Sequence, residues 1–77
     1  MAQHAFTLQV AGINTDDEHY EDALYNAGCT DGLIAVIDGV VFIDFDRRAP
    51  TYDLAVRSAT RSVERAGGRV IAVDRIS

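Results

Sequence analysis

The residue pattern predicts a two-layer α+β fold, with a four-stranded antiparallel sheet carrying two helices on one face. Three observations predict it. Segments 5–11 and 69–76 alternate apolar and polar residues, as half-buried strands do. Segments 16–27 and 52–66 repeat apolar residues at helical spacing. Between the helices lies the run LIAVIDGVVFIDF, residues 33–45, which reads as two strands joined at Asp38-Gly39.

Each element has a local reason. In 5–11, Phe6, Leu8 and Val10 point one way, and Thr7 and Gln9 the other. Thr15-Asp16-Asp17-Glu18 matches a capping box, which predicts a helix over 16–27 with Thr15 as its cap and Gly28 as its stop. Asp-Gly suits a two-residue type I′ turn, because both central positions need positive φ. That turn sets Ile37 opposite Val40, Ala35 opposite Phe42 and Leu33 opposite Asp44. Asp44 resists burial, so Ile34, Val36, Val41, Ile43 and Phe45 are assigned to the core. Leu33, Ile37, Val40 and Phe42 then fall on the opposite face. Ala49-Pro50 leads into the second helix, with Thr51 as its cap and Gly67-Gly68 as its end. Tyr52, Ala55, Val56, Ala59, Val63 and Ala66 form its apolar stripe, opposite Arg57, Arg61 and Arg65. The last strand, 69–76, is read with Ile71 and Val73 inward and Asp74 outward. The order βαββαβ with right-handed crossovers is that of the ferredoxin-like sandwich, sheet order 4-1-3-2.

The chain has 77 residues, enough for one domain (1–77) near the lower size limit of a single hydrophobic core. No apolar run reaches the length of a membrane span, and no basic-then-apolar leader begins the chain. Together with a lone cysteine, Cys29, this predicts a cytoplasmic protein in a reducing compartment, without membrane contact. The net charge of −5 is unevenly spread. Residues 1–46 hold nine carboxylates and no Lys or Arg, whereas residues 47–77 hold seven arginines and three acids.

The stretches DALYNAGCTD, VVFIDFDRRAP and AVRSATRSVERAG resemble the N-terminal domain of a poorly characterised bacterial family of helix-turn-helix DNA-binding proteins. The resemblance runs from about Phe6 to Val73 and implies this fold and a regulatory or oligomerisation role. The sequence ends where the helix-turn-helix would begin, so DNA binding is not carried over.

Nothing in the sequence assembles a catalytic or metal-binding set. His4 is read as sitting at a frayed terminus, and His19 as a solvated residue in an acidic helix start. Cys29 lacks a partner base and is read as a packed thiol. No enzyme activity, cofactor or metal is therefore expected. Direct nucleic-acid binding is not expected either. An RNA-recognition sheet stacks bases on outward aromatics, and here Thr7, Gln9 and one aromatic, Phe42, occupy those positions. The arginine stripe is expected to be paired, Arg57 with Asp53 and Arg61 with Glu64.

What remains is protein binding, through one of two surfaces. The acidic face comprises Asp16, Asp17, Glu18, Glu21, Asp22, Asp31, Asp44 and Asp46, and it calls for a basic partner. Small acidic domains carried by phages, including inhibitors of bacterial CRISPR systems, are similar in size and charge. The concrete expectation is thus a nucleic-acid-mimicking inhibitor of a basic nucleic-acid-binding protein. The open sheet face comprises Leu33, Ile37, Val40 and Phe42 and suits a homodimer or an apolar partner, unless residues 1–4 fold over it. Full burial of those four side chains is worth on the order of 6–12 kcal/mol.

Overall fold

The computed structural model describes residues 2–76. Its elements are β1 (Ala2–Ala11), α1 (Tyr20–Asn26), β2 (Gly32–Ile37), β3 (Val40–Ala49), α2 (Tyr52–Arg65) and β4 (Arg69–Arg75). The four strands form one antiparallel sheet in the order β2-β3-β1-β4, and the architecture is the expected α+β ferredoxin-like one.

The hairpin folds as its sequence dictates. Asp38 and Gly39 adopt φ of 51° and 79°, as a type I′ turn requires. The pairs Ile37–Val40, Ala35–Phe42 and Leu33–Asp44 follow in register. Phe6, Leu8 and Val10 from β1 and Val41, Ile43 and Phe45 from β3 are buried beneath the helices. Phe6 stacks on its cross-strand neighbour Phe45, with ring centroids 5.4 Å apart, and meets the Tyr52 ring edge-on. Leu24 of α1 and Ala55, Ala59 and Val63 of α2 close the core from above. Thr51 caps α2 through its side chain, which accepts from the Leu54 amide at 3.2 Å.

Four features depart from the sequence-based expectation. Helix α1 begins only at Tyr20, and no side chain caps it. The Asn14 side chain accepts from the Asp16 amide at 3.1 Å, and Asp17 accepts from the His19 amide at 2.9 Å. The second of these Asx turns takes the His19 amide, which a helix from residue 16 would bond to the Thr15 carbonyl, and the capping box does not form. The helix end is as expected: Gly28, at φ 114°, donates to the Tyr25 carbonyl while Cys29 donates to Leu24. A Cβ at Gly28 would lie 2.7 Å from Ser62 Oγ, so glycine also admits α2 close to the end of α1.

Strand β1 starts at Ala2, and residues 2–4 pair with Arg47, Arg48 and Ala49 rather than folding over the open face. Met1 lies outside the described residues. His4 is consequently a strand residue, its ring 3.2 Å from the Ala49 carbonyl and edge-on to Tyr52. Strand β3 likewise runs on to Ala49. In β4 a register shift opposite Gln9/Val10 brings Val70 against the core and turns Ile71 outward, 51% exposed. Val73 stays on the helix side, in register with Leu8.

Candidate functional site

The pairing registers place the open-face residues in rows across the strands. One row reads Ala35, Phe42, Gln9, Ala72, and the next reads Leu33, Asp44, Thr7, Asp74. The Thr7 hydroxyl donates to Asp44 at 2.6 Å, and the Gln9 amide donates to Asp74 at 3.1 Å. The face is therefore divided. Thr7 and Gln9 of β1 make its centre polar, holding one carboxylate on β3 and one on β4. Its β2–β3 corner is apolar, with Leu33 75% and Ile37 56% exposed. Val40, opposite Ile37, and Phe42, opposite Ala35, are already half-buried by their neighbours. All four expected patch residues are thus brought together, but less of their surface remains to be buried than full exposure would offer.

The eight acidic-face residues are not brought together as one surface. Asp16, Asp17, Glu18, Glu21 and Asp22 are exposed in the turns before α1 and in its first turn. Asp44 and Asp46 lie at alternate positions on the open face of β3. Asp31 is engaged in an internal ion pair. Its carboxylate receives a two-point contact from Arg47, Nη2 to Oδ1 at 2.7 Å and Nε to Oδ2 at 3.0 Å. The same guanidinium donates to the Gly28 carbonyl at 2.7 Å and to Ser58 Oγ at 3.1 Å, and it lies over the Phe45 ring. Arg47 thereby ties the α1–β2 loop to β3 and α2. Sequence reasoning missed it, because its partner lies 16 residues away and the pair has no local signature.

Among the described residues, the expected pairs Arg57–Asp53 and Arg61–Glu64 do not form within 4 Å; the one guanidinium–carboxylate bridge is Arg47–Asp31. Arg57 and Arg61 instead line an open cavity of about 330 Å³ with Arg48 and Leu54. Arg75 lies over the Tyr52 ring, 3.9 Å from its centroid. The basic half of the chain is thus partly spent on internal contacts.

For cofactor or metal chemistry, no group of three His, Cys, Asp or Glu side chains converges among the described residues. His19 touches Glu18 and Asp22 at 3.6 and 3.7 Å on an exposed surface. Cys29 is buried, and burial pushes its thiol pKa above the ordinary value. Among the described residues, no helix is long and apolar enough to cross a membrane.

In comparisons with protein-family models, curated proteins and solved structures, nothing matches this chain.

Proposed function

We propose that this domain binds protein rather than catalysing a reaction, and that its contact surface is the open face of the β2–β3 hairpin. The observation that carries this is the corner formed by Leu33, Ile37, Val40 and Phe42, which nothing among the described residues covers. Covering what is exposed there contributes roughly 3–5 kcal/mol, less than full burial of four side chains would give. That is close to the minimum cost of association, so the corner acts as an anchor and needs further contacts around it. The regulatory or oligomerisation role implied by the family resemblance is the form this reading takes when the partner is a second copy.

A second reading is favoured by the turns before α1. The carboxylates of Asp16, Asp17, Glu18, Glu21 and Asp22 are exposed, and none has an arginine within 4 Å. Such a surface suits a basic partner and supports a small acidic inhibitor of a nucleic-acid-binding protein.

Affinity capture from the source cells with three baits separates the two. The baits are the wild type, Val40→Thr/Phe42→Thr, and a variant with Asp16, Asp17, Glu21 and Asp22 changed to lysine. The first reading expects a partner that the charge variant keeps and the face variant loses. The inhibitor reading expects the reverse, with affinity falling as salt rises. A partner kept by both folded variants sinks both readings.

A further inference from the structure

The sheet has two edges, and they are built differently. β4 carries Arg69, Asp74 and Arg75 and a register break, features that discourage another strand from adding on. β2, Gly32–Ile37, has no charge, no proline and no register break. Its side chains are apolar on both faces, with Leu33, Val36 and Ile37 exposed at 75, 41 and 56%. Ile37–Val40 closes a two-residue hairpin, so Leu33, Ala35 and Ile37 bond to β3. The N–H and C=O groups of Ile34 and Val36 therefore point away from the sheet.

We infer that β2 pairs antiparallel with β2 of a second copy of this chain, about a two-fold axis at Ala35, joining two sheets into one of eight strands. This deepens the reading of the hairpin as a binding surface and rests on it. In this register Ile34 of one copy exchanges backbone hydrogen bonds with Val36 of the other, four bonds in all. Ala35 meets Ala35 at the close, non-hydrogen-bonded position, where a small side chain fits best. Leu33 falls opposite Ile37 on one face, and Ile34 opposite Val36 on the other. Asp38 falls opposite Gly32, so no carboxylate faces a carboxylate. Every opposed pair is compatible, whereas a strand carrying one sign of charge at these positions would set like charges opposite each other.

The area is adequate for a weak dimer. A six-residue edge is about 20 Å long and, with side chains on both faces, buries on the order of 500 Å² per copy. That is about a tenth of the 4785 Å² surface, at the lower end of specific interfaces. The two apolar corners also become neighbours on one face, which enlarges the anchor for any third partner.

Sedimentation over a concentration series, with circular dichroism to confirm folding, reads the dimer. Wild type shifts from monomer to dimer as concentration rises. Val36→Lys, at a position that bonds to no neighbour strand, weakens the dimer at least tenfold. Glu64→Gln, at an exposed position on α2, leaves it essentially unchanged. Ala35→Cys forms an intermolecular disulfide on mild oxidation, since its Cα atoms would sit about 4.5 Å apart across the axis. Glu64→Cys, on α2, does not. A wild type that remains monomeric up to its solubility limit overturns the pairing, as does a dimer that Val36→Lys leaves intact. If the dimer is lost in Phe42→Thr but kept in Val36→Lys, the open face is the interface and the edge is not. If wild type stays monomeric yet still captures a partner through Val40 and Phe42, the edge inference fails while the binding-surface reading stands.

Discussion

Strands β2 and β3 are neighbours of similar apolar content, yet they have opposite fates. Val41, Ile43 and Phe45 of β3 are at most 2% exposed, whereas Val36 of β2, on the same helix-side face, is 41% exposed, and Ile37 faces away from the helices at 56%. The difference lies above the sheet. Helix α2 runs for 14 residues and packs on β3, β1 and β4. Helix α1 is half that length and buries a single side chain, Leu24. An apolar strand is a request for cover, and here the cover stops short of β2.

The largest effect expected from this contrast is between two isoleucines six residues apart. Ile43→Ala should cost roughly 2–5 kcal/mol, because it opens a cavity in a closed core. Ile37→Ala, in dilute protein, should cost under about 1 kcal/mol. Urea unfolding of both checks this, and equal costs would mean that the hairpin tip is covered after all.

Next is the anchor between the two regions. Arg47→Ala should destabilise by about 2–3 kcal/mol, since it leaves Asp31 and the Gly28 carbonyl without their donor. The Asp31 side chain is 30% exposed, which keeps the cost below that of a fully buried pair. A double-mutant cycle with Asp31→Asn should show coupling, and independent effects would mean that the pair is incidental.

The two helix starts give a smaller contrast. Thr51→Ala should cost about 1 kcal/mol by removing the α2 cap. Thr15→Ala should fall within about 0.5 kcal/mol of wild type, because no cap exists there to lose. Thermal unfolding of the two variants reads this directly.

The smallest effect concerns Cys29. Its thiol pKa is raised by burial, with Arg47 acting against the shift. The folded state therefore holds this proton more tightly than the unfolded one. Its stability contribution is intact below the ordinary thiol value of 9.0 and fades as pH rises above it. Native protein should resist alkylation at pH 8 and react only on unfolding. Rapid labelling of folded protein would show that the α1–β2 loop opens readily.

Much of the fold was legible because its signals are short. Asp38-Gly39 dictates a turn and, through it, every pair of the hairpin. Gly28 and Thr51 mark helix ends through groups no more than four residues distant. The first helix was misjudged for a related reason. Two local signals compete over residues 14–19, and the Asx turns of Asn14 and Asp17 prevail over the capping box of Thr15 and Glu18. Of the candidate surface, the apolar corner was legible from the period-2 pattern. The role of Asp31 was not, since charge composition alone cannot tell a free carboxylate from one already paired.

The sequence by itself determined the order of elements, the hairpin register and the face on which Leu33, Ile37, Val40 and Phe42 lie, because turn stereochemistry and strand alternation act between near neighbours. Only the tertiary structure decided which apolar residues are covered, that Ile71 is displaced by a register shift, and that Arg47 is seated on Asp31 and Gly28. Those outcomes depend on elements that meet across the sheet, and burial and ion pairing follow from what is near in space rather than in the chain.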